Sequence, residues 1–431
     1  MNIAELFNDI RVNPDFMFQL LNRASRFGSC CFLDNKGYHS TLNAHEFLLG
    51  CGETASVELT PGSSPEQLDA FLDAHRGQWI FGHFSYDFRQ SLHGIESKKP
   101  DPVGFSSARL FVPAICLKGN ASSISVAYCN PGFDAEAFLK EVLLEPAHPV
   151  SNPSFNLKPR INRADYIDII KKLQAHILRG DCYEINFCQE FSATSAPVSP
   201  LSVYHGLTNA SPNPFSCFYK QYNSYLMCAS PERFLAKRGQ HLYSQPIKGT
   251  AKRFPGNWQA DEASRVALRG SKKELSENVM VVDLVRNDLS KICEKASVVV
   301  DELFGIYSYP QVHQMVSTVS GTLKSGVSFS EILAATFPMG SMTGAPKMRV
   351  MELIEQYEPS RRGLFSGTVG YFSPDGDFDF NVVIRSILYN ENTQYLGYQV
   401  GGGITWYSRP EEEYEECMLK AEAIRKVLGG G

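Results

Sequence analysis

From residue 160 onward the apolar period keeps switching between strand-like and helix-like spacing, yet never settles into the regular strand–helix–strand alternation of a parallel sheet. Tyr166, Ile169, Ile170, Leu173 and Ile177 form a helical stripe, opened by Asn162 and Asp165 and closed by Gly180. Tyr183, Ile185 and Phe187 then alternate with Glu184, Asn186 and Cys188, which reads as a half-buried strand with one polar face. Short strands are expected over Phe215–Tyr219, Tyr225–Ala229 and Phe234–Ser244. Helices are expected over Asn257–Arg269, Lys272–Cys293, Ser328–Thr336 and Ala345–Gln356. Phe365–Phe372 and Phe378–Tyr389 read as a hairpin across the turn Ser373–Asp377, followed by a strand at Tyr395–Gly401 and a last helix at Pro410–Leu428. So irregular an order predicts an α+β fold.

Residues 1–145 are patterned less sharply. Gly28–Leu33 and Trp79–Tyr86 read as strands and Pro65–His75 as an amphipathic helix, with no catalytic constellation among them. Pro146, Pro149, Pro153 and Pro159 without periodicity mark a connecting segment. Two regions are therefore expected, an N-terminal subdomain over 1–145 and a second domain over 160–428.

Several function classes are excluded early. Lys+Arg 41 against Asp+Glu 46 leaves a net charge of −5, so no general attraction to nucleic acid or acidic membrane is expected. An anionic substrate would have to be met by local cations. The eleven cysteines form no Cys-x-x-Cys pair, and their odd number argues against a disulfide scaffold. The start, Met1–Pro14, carries Glu5 and Asp9 and lacks a basic region followed by an apolar stretch, so no signal peptide is expected. No apolar run approaches a membrane span. A cytoplasmic protein with reduced thiols fits these features.

Five features carry chemistry. Gln245–Thr250 places Lys248 between a rigid proline and a permissive glycine; Pro-x-x-Gly turns are common, so spacing alone reads Lys248 as a surface-turn lysine. Glu232 lies sixteen residues earlier and is either its ion-pair partner or an acid. Glu274 with Glu277, and Glu413 with Glu416, stand three apart on two helices, with Lys420 four beyond Glu416. Facing each other, they would form the oxygen-rich site that Mg²⁺ prefers; apart, they are solvated faces and helix-start acids. Gly340–Lys347 is a small-residue loop opening a helix, suited to a carboxylate or to nothing more than a helix start. Gly401–Gly403 after a strand permits close approach of a ligand, without dinucleotide-site spacing.

Taken together, Glu277-Asn-Val-Met-Val-Val-Asp-Leu-Val-Arg-Asn-Asp288, Thr343-Gly-Ala-Pro-Lys347, Asp379-Phe-Asn-Val-Val-Ile-Arg385 and Gly401–Gly403 with Glu413, Glu416 and Lys420 resemble the chorismate-utilising enzymes. That family comprises the anthranilate, aminodeoxychorismate, isochorismate and salicylate synthases. The resemblance spans roughly 160–428, with a looser match at Trp79–Asp87. It implies a large mixed-sheet chorismate-binding fold, with two sheet-based halves and helices outside. It further implies Mg²⁺ bridging Glu277 and Glu416, with Glu274 and Glu413 nearby, and holding a chorismate carboxylate. Arg385, Thr343, Lys420 and the backbone at Gly401 and Gly403 would hold the other polar groups, Thr250 would sit near the ring, and Glu232 would serve as general acid.

The branches of the family differ at two positions. Members that add water to the ring carry a lysine where this chain has Glu184, so the water-activating base is missing. The run Pro-Ile-Lys-Gly-Thr is similar to that of the aminodeoxychorismate synthases, whereas anthranilate synthases usually carry alanine at the place of Lys248. The resemblance thus implies amination of chorismate toward 4-aminobenzoate and folate, with Lys248 as a covalent nucleophile. That role needs a neutral amine, which burial and nearby cations are expected to favour. Anthranilate formation is the rival, and a non-catalytic chorismate- or tryptophan-binding module is the alternative of another class. Gln314 stands where many relatives have a histidine tied to pyruvate elimination. No Gly-x-Cys-x-Gly elbow is present, so ammonia is expected from a separate glutamine amidotransferase subunit.

Overall fold

A computed structural model describes residues 12–429 apart from 39–41, 43, 44 and 121; the acidic start, residues 1–11, lies outside it. Two large sheets dominate, and every strand ladder in them is antiparallel. The first has eleven strands and the second ten. Both draw on the two ends of the chain. Ser29–Asp34 pairs with Phe215–Gln221 in the first sheet, and Ile80–Phe84 pairs with Thr368–Phe372 in the second. The proline-rich connection after residue 145 therefore joins strands of shared sheets.

The inner faces of the sheets close on one apolar core. Cys31, Leu48, Tyr219 and Leu226 of the first sheet meet Phe81, Phe111, Leu235 and Phe380 of the second. Contact is close enough that a Cβ on Gly50 would lie 2.5 Å from the Phe81 ring. The outer face of the first sheet is covered by helices through Phe16, Leu20, Phe138, Tyr166, Leu173 and Leu207. Helices over 272–292 and 329–336 join the second sheet's core through Val282, Leu289, Ile332 and Leu333. The fold is α+β with helices outside, as the irregular period order requires.

Six elements build the site and are labelled here: β1 (Glu184–Ala193), β2 (Ile247–Lys252), α1 (Lys272–Ile292), β3 (Val312–Thr322), β4 (Tyr395–Ile404) and α2 (Pro410–Lys420). β1 pairs with β4 near one end of the first sheet; β2 is the end strand of the second sheet and pairs with β3.

Three expectations from the sequence change. The stretch expected as one strand over Phe234–Ser244 is two, Arg233–Arg238 and His241–Gln245, because Gly239 turns with φ +60°. Phe378–Tyr389 likewise divides: Phe378–Asn381 stays in the second sheet and Ser386–Asn390 enters the first. Arg385 sits at the crossing with φ 51°, a left-handed conformation that breaks the strand. Finally, the polar face of β1 does not meet solvent. Glu184 and Asn186 are as buried as Ile185 and Phe187, because that face lines the site.

Candidate active site

The gap between the ends of the two sheets is bridged by one ion pair. Lys248 on β2 donates from Nζ to Glu184 Oε1 on β1 at 2.7 Å, with the two side chains 10% and 3% exposed. β2 bulges between Ile247 and Thr250, with Gly249 at φ +95°, and this irregularity places the lysine in the gap. The partner oxygen, Glu184 Oε2, is buried without a hydrogen bond. Gly403 makes room for the pair: a Cβ there would stand 2.5 Å from Glu184 Oε1 and 2.7 Å from Lys248 Nζ.

The state of Lys248 differs from the expectation. Burial alone pulls its ammonium toward neutrality, but the carboxylates of Glu184, Glu277 and Glu232 outweigh burial and hold it above the ordinary lysine range. Its neighbours are anions, not the cations the covalent role called for. At rest the group is an ammonium, and an attacking amine has to be made by passing a proton on.

Glu232 is 4% exposed. Burial raises its pKa to about 7; the neighbouring Ser341 hydroxyl, Lys248 and the Ile247 backbone only moderate the rise. A carboxyl that keeps its proton near neutrality can act as a general acid. Thr250 is exposed and stands opposite Gln314 on β3, whose buried Oε1 has no hydrogen-bond partner. The adjacent His313 bonds instead to Ser308 through Nδ1, with Nε2 3.3 Å from Asp261.

The two carboxylate pairs do meet, but around a lysine. Lys273 Nζ, near the start of α1, lies 3.3 Å from Glu413 Oε1, 3.7 Å from Glu416 Oε2 and 3.9 Å from Glu277 Oε1. Glu277 is 7% exposed, and its Oε1 has no hydrogen bond. Burial raises Glu277 to about 7, with Lys248 opposing and Glu184 and Glu274 reinforcing the rise. Glu274 is raised too, by burial and then by Glu416, and its Oε2 lies against Gly249. On α2, Lys420 holds Glu416 down at about 2 through a 2.7 Å contact. Among the described residues no three of these groups converge tightly enough to share one ion. The donors nonetheless suit Mg²⁺: all are hard oxygens, and one buried carboxylate oxygen lacks a partner.

The remaining expected residues are brought in to different degrees. Lys420 donates to Gly401 O at 3.0 Å, and Arg385 donates to Lys420 O at 3.1 Å. Gly402 faces Glu413, Lys420 and Glu416. Thr343 turns its hydroxyl onto Met339 O at 3.0 Å, away from any ligand role in this arrangement. Its loop is not an open anion cradle. Met342 and Thr343 amides bond within the turn, Gly344–Ala345 pairs with β1, and Lys347 is tied to Asp288 at 2.5 Å.

Sequence reasoning passed over Lys273 and the buried Arg362–Glu358 pair, and gave Lys347 no role beyond ending its loop. Arg362 donates to Glu358 Oε1 at 2.6 Å, to Asn186 O at 2.9 Å and to Met342 O at 2.7 Å; Glu358 Oε1 accepts from Cys188 N. The pair thus holds β1 and the 340–343 loop from behind. An Arg four residues after a Glu was the available signal, but it looks the same on any helix surface.

The chain matches the family model described as chorismate binding enzyme over residues 29–426, and it belongs to that family. Among curated relatives, it is 37% identical over 268 residues to aminodeoxychorismate synthase component 1 of Escherichia coli (strain K12), covering 62% of this chain and 58% of that one. It is 40% identical over 268 residues to the chloroplastic aminodeoxychorismate synthase of Arabidopsis thaliana, covering 62% of this chain and 29% of the plant protein. An anthranilate synthase component 1 from Cereibacter sphaeroides is 30% identical over 368 residues, or 81% of this chain and 73% of that one. The matches span less than two thirds of the length of the aminodeoxychorismate synthase relatives named here. Anthranilate synthase component I from Streptococcus pneumoniae TIGR4 shares the fold with a TM-score of 0.76 at 24% identity, covering 91% of this chain and 94% of that one. The Escherichia coli isochorismate synthase MenF shares it with a TM-score of 0.75 at 17% identity, covering 95% and 91%.

Proposed function

We propose that this chain is the synthase component of an aminodeoxychorismate synthase, replacing the ring hydroxyl of chorismate with an amine derived from ammonia. The observation that carries this reading is Lys248, buried and paired with Glu184 at 2.7 Å, with the buried Glu232 close enough to act on its charge and raised to about 7. A non-catalytic binder has no use for a lysine and an acid so arranged. The relatives named aminodeoxychorismate synthase add support, as does Gln314, which offers no proton acceptor where eliminating members keep a histidine.

The steps follow from the residues. Lys248 passes a proton from Nζ to Glu184 Oε1, and the freed amine attacks the far end of the conjugated ring system. The double bonds shift, and the ring hydroxyl departs as water with the proton of Glu232. Ammonia then bonds to the carbon that lost the hydroxyl. The bond to Lys248 breaks with its electron pair returning to nitrogen, the lysine recovers its proton from Glu184, and the new ring ammonium gives a proton to Glu232, restoring the acid. Glu277 and Glu416, with Glu274 and Glu413 close by, would hold Mg²⁺, which when bound neutralises a substrate carboxylate and draws electron density from the ring. Arg385 and Lys420 supply the local cations that an acidic protein needs for a dianionic substrate. The ammonia source is a separate glutamine amidotransferase subunit, and the compartment is the cytoplasm. Among the described residues no helix is long and apolar enough to cross a membrane, and every described cysteine is a free thiol.

One incubation tests the reading: chorismate, Mg²⁺ and a saturating ammonium salt near neutral pH, with products separated by chromatography. Aminodeoxychorismate is expected. Anthranilate with matching pyruvate, or isochorismate as the main product, would overturn the proposal.

A further inference from the structure

Lys273 is out of place by ordinary helix rules. It occupies the first turn of α1, where the N-terminal end of the macrodipole disfavours cations, and Lys272 adds a second positive charge. Its ammonium is nevertheless held among Glu413, Glu416 and Glu277 at 3.3, 3.7 and 3.9 Å. Two of those carboxylates come from α2, so this one side chain ties the starts of two helices together. The Lys273 side chain remains 41% exposed, while Glu413 is 2% exposed and Glu277 9%. Glu413 and Glu277 are thus fixed in the wall, while Glu416, 39% exposed, and the lysine meet at the rim.

We propose that Lys273 is an internal counter-ion that stands in for the divalent cation, holding the carboxylates together until the metal displaces its ammonium to solvent. Lys420 pairs Glu416 and Lys248 acts on Glu277, but four carboxylates gathered with no further cation would still repel one another, and a buried unpaired carboxylate is costly. One ammonium offsets part of that repulsion. Its distances of 3.3–3.9 Å are looser than charge-assisted hydrogen bonds, so it can be exchanged. Glu277 Oε1, which Lys273 reaches only at 3.9 Å and which no hydrogen bond satisfies, is the oxygen left for the metal to claim. A flexible four-carbon stem at the rim lets the lysine leave without moving either helix. The inference rests on the assignment of this carboxylate group to Mg²⁺ and is independent of which product the enzyme forms.

The test measures cation binding directly in the absence of chorismate. Isothermal titration with Mg²⁺, and Mn²⁺ titration followed by electron paramagnetic resonance, would compare the full-length protein with Lys273→Met and Lys273→Arg. Removing the competing charge is expected to tighten Mg²⁺ and Mn²⁺ binding about tenfold or more in Lys273→Met, with Lys273→Arg close to the parent. Without metal, Lys273→Met should melt at lower temperature than the parent, and saturating Mg²⁺ should close that difference. Unchanged or weaker cation affinity in Lys273→Met overturns the proposal, as does an equal Mg²⁺-induced rise in melting temperature for both proteins. Should Lys273→Met fail to fold, Lys273→Gln carries the same comparison. Absence of cation binding in every variant would instead refute the metal assignment itself.

Discussion

At the scale of single residues, the site is defined by Lys248, which the surrounding carboxylates hold as an ammonium, and by Glu232, whose proton burial retains. Glu232 has a pKa of about 7 in the folded chain against an ordinary value of 4.5, so the folded state keeps its proton where the unfolded chain has lost it. The sign follows: stability falls as pH rises from about 4.5 to about 7, and the whole penalty is present above that. Glu232→Gln should therefore be more stable than the parent at pH 8, by up to about 3 kcal/mol, and no more stable at pH 4, measured by urea denaturation. Amination at saturating ammonia should decline as pH climbs through about 7, because the acid is being lost. In Glu232→Gln the rate should drop by about 10²–10⁴ and that limb of the pH profile should vanish. A limb that persists in the variant would assign it to another group.

At the scale of elements, the glycine run at the end of β4 separates support from chemistry within three residues. A Cβ on Gly401 would lie 2.1 Å from Phe187 O, a backbone atom that can yield only if β1 and β4 part. On Gly402 the nearest atom is Glu413 Oε2 at 3.3 Å, which can shift slightly. On Gly403 the nearest atoms are the tips of Glu184 and Lys248. Gly401→Ala should cost about 2–3 kcal/mol of stability, whereas Gly403→Ala should fold and lose about 10²-fold in amination through displacement of the lysine. Denaturation midpoints and steady-state rates for the three alanine variants check the order. The run itself was visible in the sequence, as were the helix start at Asn162 and the turn at Ser373–Asp377, since capping and turn chemistry are local. What spacing did not reveal was which strand leaves which sheet. Val382–Ile384 reads as strand whichever sheet it follows, so the crossing at Arg385 is invisible to periodicity. For the same reason the Glu184 face of β1 looked solvated: alternation reports two faces, not what covers the polar one.

At the scale of the whole molecule, neither sheet is complete without strands from both ends of the chain. A fragment beginning at residue 160 would lose Ser29–Asp34 and Ile80–Phe84 and expose Phe215–Gln221 and Thr368–Phe372 along open edges. Such edges recruit other strands, and the fragment is expected to be insoluble or aggregated on expression. A monodisperse, cooperatively melting fragment, seen by size exclusion and calorimetry, would contradict this. The family resemblance covered the later region more sharply because the charged and glycine-rich segments sit there. The earlier region contributes two apolar strands, Ser29–Asp34 and Ile80–Phe84, that each have one pairing partner more than 180 residues away along the chain.

The pairing of Glu184 with Lys248 carries a consequence for how such chains can change their reaction. Hydrating relatives place a lysine at the position of Glu184, and anthranilate synthases usually place an alanine at that of Lys248. Here the two positions share one buried ion pair, so altering either alone leaves a stranded charge or sets two ammonium groups side by side in a closed space. Passage from one chemistry to another thus runs through a poorly tolerated single-step variant unless both positions change together. In this chain the two positions therefore act as one unit, and a change of reaction at either has to be met at the other.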